Sequence, residues 1–450
     1  MSLEPPPIPE GFLTRWCTTL SESTESPPGA FLPTGLALLS AIAGPRLVMR
    51  WGVTHEERMN LWILNVGMSA LARKTSGLSG LRTAVKWIRD DADLIRLLPV
   101  ARISDAGLVA SLDVVSTDTA AVAQDADEFP TGPKSKDKKP ATPEVHRAVP
   151  LSWIAVFNEV SPIWMEDGAG WAMDAQRALL AIYDGQLSST TKATSVPAQD
   201  CFVTAIGNIP PGVLREQTTL GMLATGFVGR WLVVPTPAPT EIVSFPMPNG
   251  TDPLVRLRSE IERLQAVARR GQRHVVNGLW TEDAKYLRHE WYAGHRETFK
   301  GLSPDDPYAI ASSELFGRLQ ATALKVATLI AVARQCDQIN DLSELRVNVD
   351  DVAWACQVID ASIVYVTDTL RDSGAEASSA GGKTEGRILR YLERSGAVDE
   401  SSSRVMRDVS NAAKGGKVSH RDVVSAVDAL YQSQQIVVAD AGNTRRVWLP

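Results

Sequence analysis

The chain is poor in the residues that redox, metal and secreted-scaffold chemistry require. Four cysteines occur in 450 residues, Cys17, Cys201, Cys336 and Cys356, and no two form a CxxC pair. That excludes a thiolate zinc motif and gives no disulfide framework; buried thiols in a reducing compartment are expected instead. Histidine is scarce too, at six residues. His289 and His295 in "HEWYAGH" do not fall on one helical face, so they do not read as a metal pair. No run reaches the roughly 18 apolar residues that cross a bilayer. The N-terminal "MSLEPPP" has no basic segment followed by an apolar core. A soluble, cytoplasmic protein with no membrane contact is expected. A net charge of −6 excludes a uniformly basic coat but leaves room for a local basic surface. No Gly-x-Ser-x-Gly elbow sits in the context that acyl transfer needs.

What is present suits a globular protein. Apolar residues make up 44% and charged residues 22% of the chain, enough for sizeable cores. The length suggests roughly three domains. Phe31–Ala43 is apolar with few charges and reads as a buried helix. Leu61–Val66, Trp153–Phe157, Cys201–Gly207 and Trp231–Val234 are short apolar runs, and they read as buried strands. Thr75–Asp90 carries Leu78, Leu81, Val85 and Ile88 at helical spacing. Strands alternating with helices predict an α/β fold with a mainly parallel sheet. Residues 124–149 are rich in Pro, Lys and Asp and read as a mobile insertion.

Beyond about residue 250 the pattern is helical. Pro253–Arg270, Thr281–Phe299, Ser312–Arg334 and a segment from Val349 to about Leu370 read as helices. Residues 371–382, "RDSGAEASSAGG", form a small-residue linker. The last segment, 383–450, shows three helical patterns followed by two short strands, Ile436–Ala439 and Arg446–Leu449. That order describes a winged helix-turn-helix. It holds 11 Lys/Arg against 8 Asp/Glu, a basic unit in an acidic chain. Domain expectations are thus 1–50 helical, 51–250 core, 251–370 helical lid, 371–382 linker and 383–450 winged helix.

The chemistry turns on "VGMSALARKTS", residues 66–76. A phosphate-binding loop presents backbone N–H groups and a helix N-terminus to phosphates, a Lys as point charge, and a Ser/Thr hydroxyl for magnesium. Here Gly67 leads and Lys74-Thr75 closes, between a strand and a helix. The spacing is one residue too long, and Ala72-Arg73 stand where glycine is expected. A second string, "GGKT" at 381–384, has no buried strand to launch it and reads as linker. Downstream, Asn158-Glu159 end a strand. Glu159 is placed to polarise attacking water, and Asn158 stands where an Asp would support magnesium. Asn208 reads as a γ-phosphate sensor and Arg230 as an arginine finger reaching a neighbouring subunit. Lys192, in a polar loop after Asp184-Gly185, reads as a DNA-contact candidate. Arg421, Arg445 and Arg446 are the corresponding candidates in the winged helix.

The ordered set "SPPGAFLPTGLALLSAIAGPRL", "GMSALARKT", "WIAVFNEVS", "LLAIYDG", "GNIPPGVL", "GFVGRWL" and "GRLQATALKVATLIA" resembles the phage- and plasmid-encoded primase–helicase-like P-loop ATPases. Those are divergent AAA+/RecA-like proteins, and the likeness spans about residues 15–370 without a primase module. The resemblance implies ATP held by Gly67, Ser69, Arg73, Lys74, Thr75 and Ser76. It implies Mg2+ at Thr75 and Asn158, with Glu159, Asn208 and Arg230 in catalysis and Arg318 as a lid arginine on the γ-phosphate. It further implies a DNA translocase of a mobile element working as a ring, with a hexamer as the expected assembly, beside other replication or mobile-element proteins. The alternatives are a DNA-binding regulator or scaffold with a degenerate nucleotide site, and a partner-recruiting component of a defence or mobile-element system.

Overall fold

The computed structural model describes residues 6–22, 24, 26–51, 55–67, 74–89, 95–98, 152–161, 163–164, 170–184, 186–187, 198–199, 202–218, 222–223, 225–236, 253–269, 273–301, 307–372, 388–389, 391–399, 401–413, 420–432, 435–441 and 444–450. Its helices are α1 (Phe12–Ser21), α2 (Leu32–Ala43), α3 (Lys74–Arg89), α4 (Gly170–Tyr183), α5 (Pro211–Gln217), α6 (Pro253–Arg269), α7 (Glu282–Lys300), α8 (Pro307–Gln335), α9 (Val349–Asp372), α10 (Met406–Ala413) and α11 (His420–Gln432). Its strands are β1 (Leu47–Trp51), β2 (His55–Arg58), β3 (Trp62–Val66), β4 (Ile95–Leu98), β5 (Ser152–Phe157), β6 (Gln186–Leu187), β7 (Ala198–Gln199), β8 (Phe202–Ile209), β9 (Trp231–Pro235), β10 (His274–Val275), β11 (Arg404–Val405), β12 (Val437–Ala441) and β13 (Thr444–Trp448).

The main sheet has five strands in the order β4-β5-β8-β3-β9, and every pairing in it is parallel. A parallel sheet covered on both faces needs strands that are apolar throughout. β3, β5 and β8 meet that requirement, with every residue buried. All twelve residues of α2 are buried as well, because the helix lies against β3, β5 and β8. Its Ser40 hydroxyl is fully satisfied. Ser40 Oγ pairs with Thr204 Oγ1 at 2.8 Å and accepts the Leu61 N–H at 3.0 Å. Such a buried hydroxyl would otherwise carry a desolvation cost of about 1–3 kcal/mol.

Four of the tryptophans, Trp16, Trp62, Trp164 and Trp231, are among the largest fully buried side chains. Trp62, Trp164, Trp231 and Phe227 form one aromatic cluster under the sheet, with centroids 5.2–6.5 Å apart. A single hydrophobic core runs from Phe12 to Leu370 and takes in α1, α2, the sheet and α6–α9. Two segments are long and apolar enough to cross a membrane by length and composition, Pro28–Arg46 and Ala309–Gln335. Inside the fold they are 89% and 78% buried. The protein interior accounts for their composition.

A second core, centred on Ile388, Leu392, Val409, Val423, Val427 and Val447, belongs to the C-terminal residues. There β12 and β13 form an antiparallel hairpin, and β11 adds to β13 on the other side. The short β11 was not foreseen in the sequence; two residues carry no periodicity. The same holds for the antiparallel β1–β2 pair and the parallel β1–β10 contact.

The described cysteines behave as buried apolar groups. Burial pushes the Cys17 thiol well above its ordinary range, Cys336 up to about 11 and Cys356 up to about 12. Since the thiolate is the reactive form, these three are expected to resist a thiol reagent in the native chain and to label promptly in guanidinium. Mass mapping of the labelled peptides checks this, and fast native labelling of Cys17 would contradict the packing.

Candidate functional site

In an open parallel sheet, ligands bind beyond the carboxyl ends of the strands. Gly67 lies there, at the end of β3, with its N–H donating to Ile209 O of β8 at 3.3 Å. α3 begins at Lys74 with no acidic residue in its first turn, so its positive end is unopposed. Thr75 is exposed and Ser76 half-buried on that first turn. Ser69 and Arg73 lie outside the described residues, as does the Lys74 side chain.

Asn158 and Glu159 follow β5 at the same edge, both exposed. They are held there by the turn behind them. The Val160 N–H donates to Asn208 O at 2.9 Å, which draws the chain across β8. That approach requires Gly207, where a Cβ would stand 1.9 Å from Val160 Cγ2. Glu159 Oε1 accepts from the Ser161 hydroxyl at 2.7 Å. Asn158 Oδ1 accepts from Arg82 Nη2 of α3 at 2.7 Å. The sequence reading had no place for Arg82, whose partner lies 76 positions away.

Asn208 is 3% exposed and sits directly across from Asn65 of β3. Asn65 Nδ2 donates to Asn208 Oδ1 at 3.1 Å, and the Thr236 hydroxyl donates to Asn65 Oδ1. These bonds leave the Asn208 amide nitrogen as a donor. Asn65 and Thr236 were also missed. A buried Asn inside "WILNV" was the available signal, since a buried amide demands partners.

Of the two donors named for magnesium, the Thr75 hydroxyl is of the type a phosphate-binding loop uses. Mg2+ otherwise takes carboxylates, phosphates and water in octahedral geometry. The oxygen of Asn158 holds a guanidinium in this structure. Asn158 is on that ground a weaker support for Mg2+ than an Asp would be.

Arg230 and Arg318 lie at the opposite end of the sheet. Arg230 immediately precedes β9, whose first residue pairs with Trp62 at the start of β3. Its guanidinium reaches Asp184 at 3.0 Å and Gly226 O at 3.1 Å, and stands 5.3 Å from the Tyr183 ring centre. Arg318 packs on the same turn. Gly226 has φ 76°, and a Cβ there would stand 2.4 Å from Arg318 Cζ. Bulk at that position would displace the arginine as well as strain the backbone. Arg318, expected as a lid arginine on a γ-phosphate, thus stands where α8 docks against the amino end of β9, at the opposite end of the sheet from Gly67.

Next to these arginines is a group that the sequence did not announce. Lys325, in the apolar middle of α8, has a fully buried side chain. Its ammonium donates to Tyr183 Oη at 2.9 Å and to Asn60 Oδ1 at 3.2 Å, and pairs with Glu57 at 2.6 Å.

Of the remaining candidates, Lys192 and the Arg421 side chain lie outside the described residues. Arg445 reaches Asp428 at 3.5 Å, and Arg446 donates to Ser403 Oγ at 3.3 Å. His295 pairs with Asp360 at 2.9 Å and stacks on Phe316. No metal-ligand cluster occurs among the described residues.

No protein-family model matches the chain, and no curated protein matches it. Among solved structures it is similar to Cdc6p from Pyrobaculum aerophilum, at 12% identity over 92% of this chain and 88% of that one, with a TM-score of 0.20. At that score the two architectures do not superpose.

Proposed function

We propose that the loop after β3 binds the phosphates of ATP and that the chain is a P-loop ATPase of AAA+/RecA-like type. The observation that carries this reading is the convergence at one sheet edge of Gly67, the α3 N-terminus, Glu159 and Asn208. In that arrangement the loop amides and Lys74 hold the phosphates. The α3 dipole favours their charge. Glu159 orients water for in-line attack, and the Asn208 amide donates to the γ-phosphate. Arg230 and Arg318, facing away from their own loop, serve a neighbouring chain's nucleotide, which suits a ring oligomer. The C-terminal helices and three-stranded sheet are read as a winged helix that contacts DNA, with the β12–β13 hairpin as its wing. A DNA translocase of a mobile element, with cytoplasmic replication proteins as partners, is the fullest form of this reading.

The direct test is ATP affinity by calorimetry on the full chain and on Lys74→Ala. Loss of the point charge on the phosphates is expected to weaken binding by about 100-fold, roughly 2.7 kcal/mol. Equal affinity of the two proteins defeats the site assignment.

The Asn158–Arg82 contact favours a second reading. A site without its strand-end Asp suits a DNA-binding regulator or scaffold that uses ATP for assembly rather than work. DNA-stimulated, multiple-turnover hydrolysis excludes that reading; a single bound nucleotide that is never turned over supports it.

A further inference from the structure

We propose that Arg82 is the resident counter-cation of the phosphate site, so that the chain binds a nucleoside triphosphate without needing a divalent metal. The inference rests on the phosphate-site reading above and adds to it the ionic requirement of binding.

Arg82 lies seven residues after Thr75 on α3, two turns along and on the same side of the helix. Its Cβ leans toward the helix N-terminus, the end that faces the phosphates. The guanidinium reaches the carboxyl edge of the sheet, where Nη2 donates to Asn158 Oδ1 at 2.7 Å. Arg346, Arg404 and Arg446 are also held by neutral oxygens; Arg82 differs from them in standing at the carboxyl edge of the sheet, and from the following three in its partner. Arg15, Arg230 and Arg334 each pair with a carboxylate, which offsets their charge. Among the described residues Arg82 pairs with a neutral amide, which orients the guanidinium and leaves its full charge unspent.

Two substitutions in chemistry follow from one contact. An Asp at 158 would attract a divalent cation and would also neutralise Arg82; Asn158 does neither. A guanidinium is always charged, and its planar fork matches phosphate oxygens. Its remaining N–H groups would meet phosphate oxygens of the bound nucleotide and supply the positive charge that a magnesium ion otherwise brings. A metal ion placed against the same phosphates must also approach a fixed positive charge, so added magnesium gains little.

The test is ATP binding by calorimetry on the full chain, in EDTA and in excess magnesium, with Arg82→Gln, Arg82→Lys, Asn158→Asp and Lys74→Ala beside it. The native chain is expected to bind with affinities within about threefold in the two buffers. Arg82→Gln should lose at least tenfold in EDTA, with magnesium restoring most of it. Arg82→Lys should lose less, because it keeps the charge but not the fork. Asn158→Asp should turn binding metal-dependent. Far-ultraviolet circular dichroism and thermal melts establish that the variants fold. A native chain that binds only with magnesium overturns the proposal while leaving the phosphate site intact. Arg82→Gln that matches the native chain in EDTA does the same. If Lys74→Ala binds as well as the native chain in both buffers, the phosphate-site reading itself has failed and this inference falls with it.

Discussion

Glu159→Gln is expected to bind ATP as the native chain does and to turn it over about 10²–10⁴-fold more slowly. The carboxylate stands exposed at the end of β5, anchored by the Ser161 hydroxyl on Oε1. Oε2 is thus left to accept a proton from water, while an amide in its place has no comparable basicity. Because the side chain is exposed and its neighbour Val160 is fixed through backbone to Asn208, the substitution should not disturb folding. Phosphate release under multiple turnover, set against binding measured separately, separates the catalytic role from a binding role. Turnover within threefold of native would remove Glu159 from the reaction.

Lys325→Ala is expected to lower stability by about 3–5 kcal/mol, the usual cost of breaking a buried ion pair by removing one of its members. The substitution removes the ammonium from Glu57, whose side chain is only 19% exposed, and removes the donor to Tyr183 and Asn60. It also opens a cavity in a helix that packs on α2 and α9. Lys325→Met combined with Glu57→Gln should recover much of the loss, because volume is kept and no lone charge remains. Denaturant unfolding monitored by tryptophan fluorescence reads both. A Lys325→Ala loss under 1 kcal/mol would show that the network is not a structural tie.

The pH behaviour of that pair follows from its sign. Burial pushes the Lys325 ammonium down, but Tyr183 and Glu57 outweigh it, so its pKa is raised above the usual 10.5. Stability from the ammonium is therefore fully present below about pH 10.5 and is lost as pH rises through the folded-state value. Between pH 6 and 9 this network is expected to contribute no slope to stability.

The sheet was legible because parallel strands buried on both faces must be apolar without interruption. β3, β5, β8 and β9 all appear in the sequence as such runs, and the observed ends fall within two residues of the expected ones. β4 was not legible: "IRLL" is four residues long and contains an arginine. The phosphate-site candidates were readable for a related reason, since Gly67, Glu159 and Asn208 each follow or end a recognisable strand. Arg82, Asn65 and Thr236 were not, because each matters through a partner that only the tertiary fold supplies. The placement of Arg318 was not legible either, because helical periodicity says which face of α8 is apolar, not which turn it will meet. Lys325 was hidden by the same limit: within an apolar helix a lone lysine has no visible partner until Glu57, Asn60 and Tyr183 are brought to it.

The strand order has a consequence for how the chain comes to be made. Trp62 of β3 pairs with Ala205 on one side and Trp231 on the other, about 140 and about 170 positions later. At ribosomal speeds that separation amounts to on the order of ten to thirty seconds. For that interval the strand from which the proposed nucleotide loop springs has been synthesised but has neither neighbour, and both its edges are open to pairing with other chains. A nascent chain that stops between β8 and β9 would still carry one open edge of β3, so synthesis beyond β9 is the step that closes the last edge of that strand.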